Sequence, residues 1–155
     1  MNPQLKFENI DCTCEKVLSD IEIFVGIELS EELKKLLSNY SGGEPTIQGK
    51  PCMIDLTHPD GWTQEYFITK IKSCKSIVDQ LNNLDYLIEY RDHFNISNEY
   101  VEIEKLLPLI EVLNGEILIS IEGQHKGKLY LADNGDFGIM LIADSLDGFF
   151  QKVYS

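Results

Sequence analysis

Leu106-Leu107-Pro108-Leu109-Ile110-Glu111-Val112-Leu113-Asn114-Gly115-Glu116-Ile117-Leu118-Ile119-Ser120-Ile121-Glu122 is the stretch on which the fold turns. Asn114-Gly115 is a strong hairpin signal, because tight two-residue turns need residues that tolerate positive φ. After it, Ile117, Ile119 and Ile121 alternate with Glu116, Ser120 and Glu122, the period of a strand with one buried face. Leu118 breaks the alternation and implies that both faces are partly covered. Before the turn, Pro108 lacks a ladder N–H, so Leu106–Leu113 is predicted to be at best an edge strand.

Downstream of this stretch the β-rich pattern continues. Gly123 to Gly127 reads as a turn, Lys128 to Ala132 as a short strand, Asp133 to Asp136 as a turn and Phe137 to Ala143 as another strand. Ser145 then caps a last helix carrying Leu146, Phe149, Phe150 and Val153. Upstream, Ile77, Val78, Leu81, Leu84, Leu87 and Ile88 predict a helix from Ser76 to about His93. Cys52–Thr57 and Gln64–Ile71 predict a hairpin around His58-Pro59-Asp60-Gly61. Glu44 to Pro51 reads as loop. Two amphipathic helices precede it, one over Glu15–Val25 stopped by Gly26, the other capped by Ser30 and closed by Gly42-Gly43. Residues 1–14 read as an irregular lead-in. Helices and strands do not alternate, so the class is α+β, and 155 residues suit one domain.

The formal charge of −13, from 13 basic and 26 acidic residues, disfavours nucleic-acid binding, which needs clustered Lys and Arg. Residues 8–32 carry 8 acidic and 1 basic residue, and residues 79–111 carry 8 acidic and 2 basic. Between them, residues 33–78 are mildly basic. Such a surface draws in a basic partner and speeds its encounter, although acidity also serves solubility alone. No run approaches the length of a membrane span, and Met1-Asn2-Pro3-Gln4-Leu5-Lys6 lacks the pattern of a secretory signal, so a cytoplasmic location is expected. Cys12, Cys14, Cys52 and Cys74 are then expected to be reduced thiols rather than a zinc set or disulfides.

No catalytic, cofactor or metal motif stands out. His58, His93 and His125 each read as exposed turn or helix-end residues rather than catalytic bases. Asp133-Asn134-Gly135-Asp136 resembles the opening of a calcium loop but lacks the later ligands and the closing Glu, so a β-turn is the reading. Trp62, the single Trp, is either a core anchor, the favoured reading, or an exposed contact residue.

Two stretches resemble the SMI1/KNR4 family of the SUKH superfamily. One is Ile21-Glu22, Gly26, Ile27-Glu28-Leu29, Leu33 to Leu37, Tyr40 and Gly42-Gly43. The other is Leu107-Pro108-Leu109-Ile110, Gly115-Glu116, Gly127-Lys128-Leu129-Tyr130-Leu131 and Ile142-Ala143-Asp144-Ser145-Leu146 with Phe149-Phe150. Ser30 stands where the family often has Pro, and Leu146 where it usually has Phe. The resemblance implies a single α+β domain with a mixed, mostly antiparallel sheet and packed helices. It further implies a protein-binding role. Bacterial members are commonly immunity proteins that neutralise polymorphic toxins, often nucleases, and fungal members are regulatory interaction proteins. For the partner-facing surface the sequence offers Asp85, Glu89, Asp92, Glu99, Glu102 and Glu104, the first three spaced to share one helix face. The expected mechanism is occlusion, with these carboxylates pairing to Lys and Arg around the cleft of a basic toxin domain.

Overall fold

The computed structural model describes residues 1–11, 14–58, 60–83, 102–133 and 138–155. Two antiparallel sheets carry the fold. The smaller has three strands in sequence order, β1 (Leu5–Glu8), β2 (Glu44–Ile47) and β3 (Lys50–Pro51). The larger is a six-stranded meander of β4 (Met53–Thr57), β5 (Thr63–Ile71), β6 (Leu106–Val112), β7 (Gly115–Ser120), β8 (Leu129–Asp133) and β9 (Ile139–Ala143). Around them lie α1 (Cys14–Val25), α2 (Glu31–Tyr40), α3 (Cys74–Leu81) and α4 (Leu146–Gln151). Every strand pairing among the described residues is antiparallel, within the α+β class read from the sequence.

The helix starts follow from local chemistry. The hydroxyl oxygens of Ser30, Ser73 and Ser145 accept from the backbone N–H three residues on, at 3.3, 3.1 and 3.0 Å, and so satisfy donors that the first turn leaves open. In α2, Glu31 and Glu32 face the positive end of the helix dipole, while Leu33, Leu36 and Leu37 are buried. The link from α1 to α2 is held by Glu22, whose carboxylate accepts from the Leu29 N–H at 3.1 Å.

Three expectations are corrected. The lead-in is not irregular throughout: Leu5–Glu8 pairs with β2, and Phe7 stacks on Tyr40 with ring centroids 4.2 Å apart. The loop expected over Glu44–Pro51 is a second hairpin, turning at Gln48 and Gly49, both at positive φ. These strands are two to four residues long, too short for a periodic signal, and they gain order from each other. Pro108 does not mark an edge. β6 lies between β5 and β7, and the register shifts between Pro108 and Ile110, so a bulge absorbs the missing donor. The helix expected to run to His93 is described from Cys74 to Leu81, and its continuation falls outside the described residues.

Further register shifts fall at Ile68/Lys70 and Leu129/Tyr130. Bulges bend and twist a sheet. The curvature lets Tyr66 of β5 reach Asp133 of β8 across two intervening strands. It also brings the two edge strands together, so that Asp55 and Thr57 of β4 line one cavity of about 320 Å³ with Leu141 and Ile142 of β9. The main core fills the inside of this curve with Leu107, Leu109, Ile117, Ile119, Leu129 and Leu131, together with Phe149 and Phe150 of α4. Leu118, Tyr130, Ala132 and Ile139 point the other way and form a second cluster with Ile103 and Leu106. Leu118 thus breaks the alternation because both faces of β7 are covered.

The cysteines depart from the expected reduced set. Cys52 is a free, buried thiol, pushed up to about 11 by desolvation. Cys74, at the start of α3, is disulfide-bonded. Packing of α1 against α3 brings together segments far apart in sequence, which no spacing rule could show.

Candidate partner-binding surface

Of the six carboxylates chosen from the sequence, Asp85, Glu89, Asp92 and Glu99 lie outside the described residues. Glu102 is half-exposed and holds the Lys105 ammonium at 2.6 Å, a hydrogen bond that raises the lysine pKa. Its charge is therefore engaged within the chain. Glu104 is exposed.

The described surface has a second acidic locus, on the β4–β5 hairpin. Its register pairs Met53 with Phe67, Asp55 with Glu65 and Thr57 with Thr63. Strand side chains alternate between faces, so these six share one face. The intervening Ile54, Leu56 and Tyr66 are buried, which makes the first set the solvent face. Along it, Thr57 and Thr63 hydroxyls meet at 2.9 Å, and Asp55 and Glu65 lie directly opposite each other. The Tyr154 hydroxyl sits 2.7 Å from Asp55 Oδ1 and 2.8 Å from Glu65 Oε2. The two carboxylates hold the phenol in its protonated form, well above the ordinary tyrosine range. Phe67 is 43% exposed at one end of the face.

Trp62, across the hairpin from His58 and therefore on the opposite face, is 58% exposed, which corrects the core reading. The reason is local. The turn puts Trp62 at the tip of the hairpin, where its N–H donates to Asp60 Oδ1 at 3.0 Å and its carbonyl accepts from the His58 N–H at 2.7 Å. Its ring lies 6.4 Å from that of His58.

His58 is not the exposed turn residue expected from its neighbours: it is 2% exposed. Its Nε2 is 3.1 Å from the Tyr66 hydroxyl, which donates to Asp133. With the phenolic proton given to Asp133, the tyrosine oxygen accepts from His58 Nε2–H. Burial, and then the Asp133 hydrogen bond, keep Tyr66 protonated far above the usual phenol range. Tyr66 and Asp133 are also buried, at 1% and 5% exposure, so no substrate reaches the trio as packed. Its service is to seat the hairpin tip. His125 is half-buried beside Gln124, and His93 lies outside the described residues. Asp133 ends β8 and bonds Tyr66, while the rest of the expected Asp133–Asp136 turn is outside the described residues. Among the described residues no group of three or more His, Cys, Asp or Glu is gathered as metal ligands would be.

A model described as the SMI1 / KNR4 family (SUKH-1) matches residues 13–152. The chain belongs to that family. No curated protein matches it. The SMI1/KNR4 match takes in both stretches on which the resemblance was read, and the middle of the chain between them. Strand β1 and Tyr154 lie outside the matched residues. The family's Gly-Gly step has a clear role here. Gly42 has φ +73, and a Cβ on Gly43 would stand 2.9 Å from the Tyr40 carbonyl and 3.2 Å from Phe7 Cβ. No helix among the described residues is long and apolar enough to cross a membrane.

Sequence reasoning missed Asp55, Glu65, Phe67 and Tyr154. The alternation in Thr63-Gln64-Glu65-Tyr66-Phe67 was a signal that Glu65 and Phe67 share a face. That Asp55 lies opposite Glu65 depends on the hairpin register, and Tyr154 is 89 residues beyond Glu65.

Proposed function

We propose that this SMI1/KNR4 protein is a bacterial immunity protein that binds a cognate polymorphic toxin, a nuclease being one candidate, and neutralises it by occlusion. Family membership over residues 13–152 is the observation that carries the reading. The charge of −13 supports a basic toxin domain as partner, through long-range attraction and pairing at contact. On this reading the chain is a binding protein, not an enzyme. The acidic set of Asp85, Glu89, Asp92, Glu99, Glu102 and Glu104 remains part of the proposal, with Glu104 the member whose exposure favours it. Cytoplasmic action belongs to the same reading. The Cys74 disulfide pulls the other way, because reducing compartments keep such thiols apart.

The test is co-expression with the product of the neighbouring toxin gene. Rescue of growth, with a complex that weakens as salt rises, is the expected result. Failure to rescue and to bind would leave the alternative of a regulatory or scaffold module with another protein partner.

A further inference from the structure

We propose that the slot between the edge strands β4 and β9 is a docking site for an extended segment of the protein partner, which enters as an added strand and bonds both edges through its backbone. The proposal rests on the binding reading above and names the surface and the form of segment it takes.

The backbone groups of the two edges carry the argument. The β4–β5 ladder is bracketed by bonds from the Ile68 N–H to the Cys52 carbonyl and from the His58 N–H to the Trp62 carbonyl, at 2.9 and 2.7 Å. Antiparallel pairs alternate between bonded and non-bonded. Ile54 and Leu56 therefore bond to β5, while Met53, Asp55 and Thr57 turn their N–H and C=O groups away from it. Met53 exchanges two bonds with Tyr154, at 2.7 and 3.0 Å. Asp55 and Thr57 have no backbone partner on that side among the described residues. On β9, Met140 pairs with Leu131, and Gly138 just before the strand accepts from the Asp133 N–H at 3.0 Å. The same alternation turns the backbone groups of Ile139 and Leu141 away from β8. Asp55 and Thr57 share with Leu141 the walls of the cavity of about 320 Å³. Strands that pair directly lie about 4.8 Å apart and leave no room between them. Among the described residues β4 and β9 are not paired to each other, and each presents unused donors and acceptors to the space between.

Three features select a free extended segment. Tyr154 already takes the first position on the β4 edge, antiparallel, through the two bonds a strand makes there. An added strand continues that pairing along Asp55 and Thr57. Next, the two edges face each other across the cavity, so in a second copy the same edges are turned inward and two copies cannot bring them together. Lastly, the walls differ on the two sides of the slot. Leu56 is buried and Ile142 packs on the main core, which suits apolar side chains pointing in. Asp55, Thr57 and Leu141 are exposed, which suits polar side chains pointing out. The segment that fits alternates apolar and polar residues and has no Pro where it meets the edges. Lys152, exposed and 3.4 Å from the Ile142 carbonyl, is the kind of charge that keeps an open edge from unspecific pairing. In such strand addition, backbone bonds supply affinity and the alternate side chains supply specificity.

Amide resonances and their exchange, followed by NMR, test the slot. The first probe is the peptide acetyl-Thr-Val-Thr-Val-Thr-amide, titrated to millimolar concentration beside acetyl-Thr-Pro-Thr-Pro-Thr-amide, which lacks two of the N–H donors. A saturable shift of the Asp55, Thr57 and Leu141 amides with the first and none with the second is expected. No response to the first, or an equal response to both, overturns the slot. The second probe is the neighbouring toxin domain. In its complex the same three amides should exchange about tenfold more slowly or slower still. Thr57→Pro should lower affinity about tenfold or more, because proline removes an outward N–H and spares the ladder to β5. If that variant does not fold, exchange in the wild-type complex decides alone. A complex in which these amides still exchange freely overturns the slot and leaves the immunity reading standing. Peptide binding without any toxin binding does the reverse. Protection that grows with the concentration of the free chain assigns the slot to a second copy and overturns the proposal.

Discussion

Tyr66 shows how much one buried polar side chain can organise. Its hydroxyl joins β5 to the hairpin turn through His58 and to β8 through Asp133. Tyr66→Phe removes both links and leaves Asp133 buried without that donor, so a loss of about 1–3 kcal/mol in urea unfolding at pH 7 is expected. The variant also carries a pH signature. The folded chain holds the Tyr66 proton far above the ordinary 10.0 of the unfolded chain. Above pH 10 the unfolded state then binds fewer protons, and stability falls as pH rises. The contribution is fully present below pH 10. Urea midpoints at pH 8 and pH 10.5 should drop more for the wild type than for Tyr66→Phe. Gly43 is the other residue on which much depends. A methyl group there meets backbone at 2.9 Å, and Gly43→Ala is expected to cost about 1–3 kcal/mol by thermal melting.

Among elements, the junction of β5, the β6–β7 hairpin and α3 depends on one buried cation. Lys72 follows β5, and its ammonium is 2.6 Å from Glu116 and 3.4 Å from Glu111. Gln80 of α3 donates to Glu116 at 2.6 Å from the other side. Lys72→Met removes the cation and leaves a nearly buried carboxylate behind. A loss of about 3 kcal/mol or more is expected by chemical denaturation, partly recovered when Glu116→Gln is added. Helix starts are more local and cost less: Ser30→Ala should lower stability by about 1 kcal/mol in the same measurement. The elements differed in how legible they were. Ser30, Ser73 and Ser145 cap helices by short-range chemistry, and two of them, Ser30 and Ser145, are recognised as caps from sequence alone. Strands β1 to β3 were missed because each depends on a partner that is distant, or joined by a turn without an Asn-Gly or Asp-Gly signal.

At the scale of the molecule, net charge and curvature are the two properties that bear on function. A charge of −13 implies that association with a basic partner slows and weakens with salt. For the toxin pair, binding measured from low to high ionic strength should lose affinity mainly through slower association, which stopped-flow mixing would resolve. An affinity flat in salt would remove the electrostatic basis of the proposed occlusion. Curvature decides which residues meet. It joins β5 to β8 through Tyr66 and sets the edge of β4 against that of β9.

The sequence by itself determined the α+β class, the β4–β5 and β6–β7 hairpins, the helix caps at Ser30 and Ser145 and the family, because these rest on patterns within a few residues of one another. The Asn114-Gly115 stretch also announced, through Leu118, that its sheet is covered on both faces. Tertiary structure alone decided that Pro108 lies inside the sheet, that Trp62 is exposed while His58 is buried, and that Asp55, Glu65 and Tyr154 converge. The reason is common to all three. A bulge, a burial and a convergence of side chains are set by strand register and by contacts between distant segments, and periodicity along one segment holds no information about its partner.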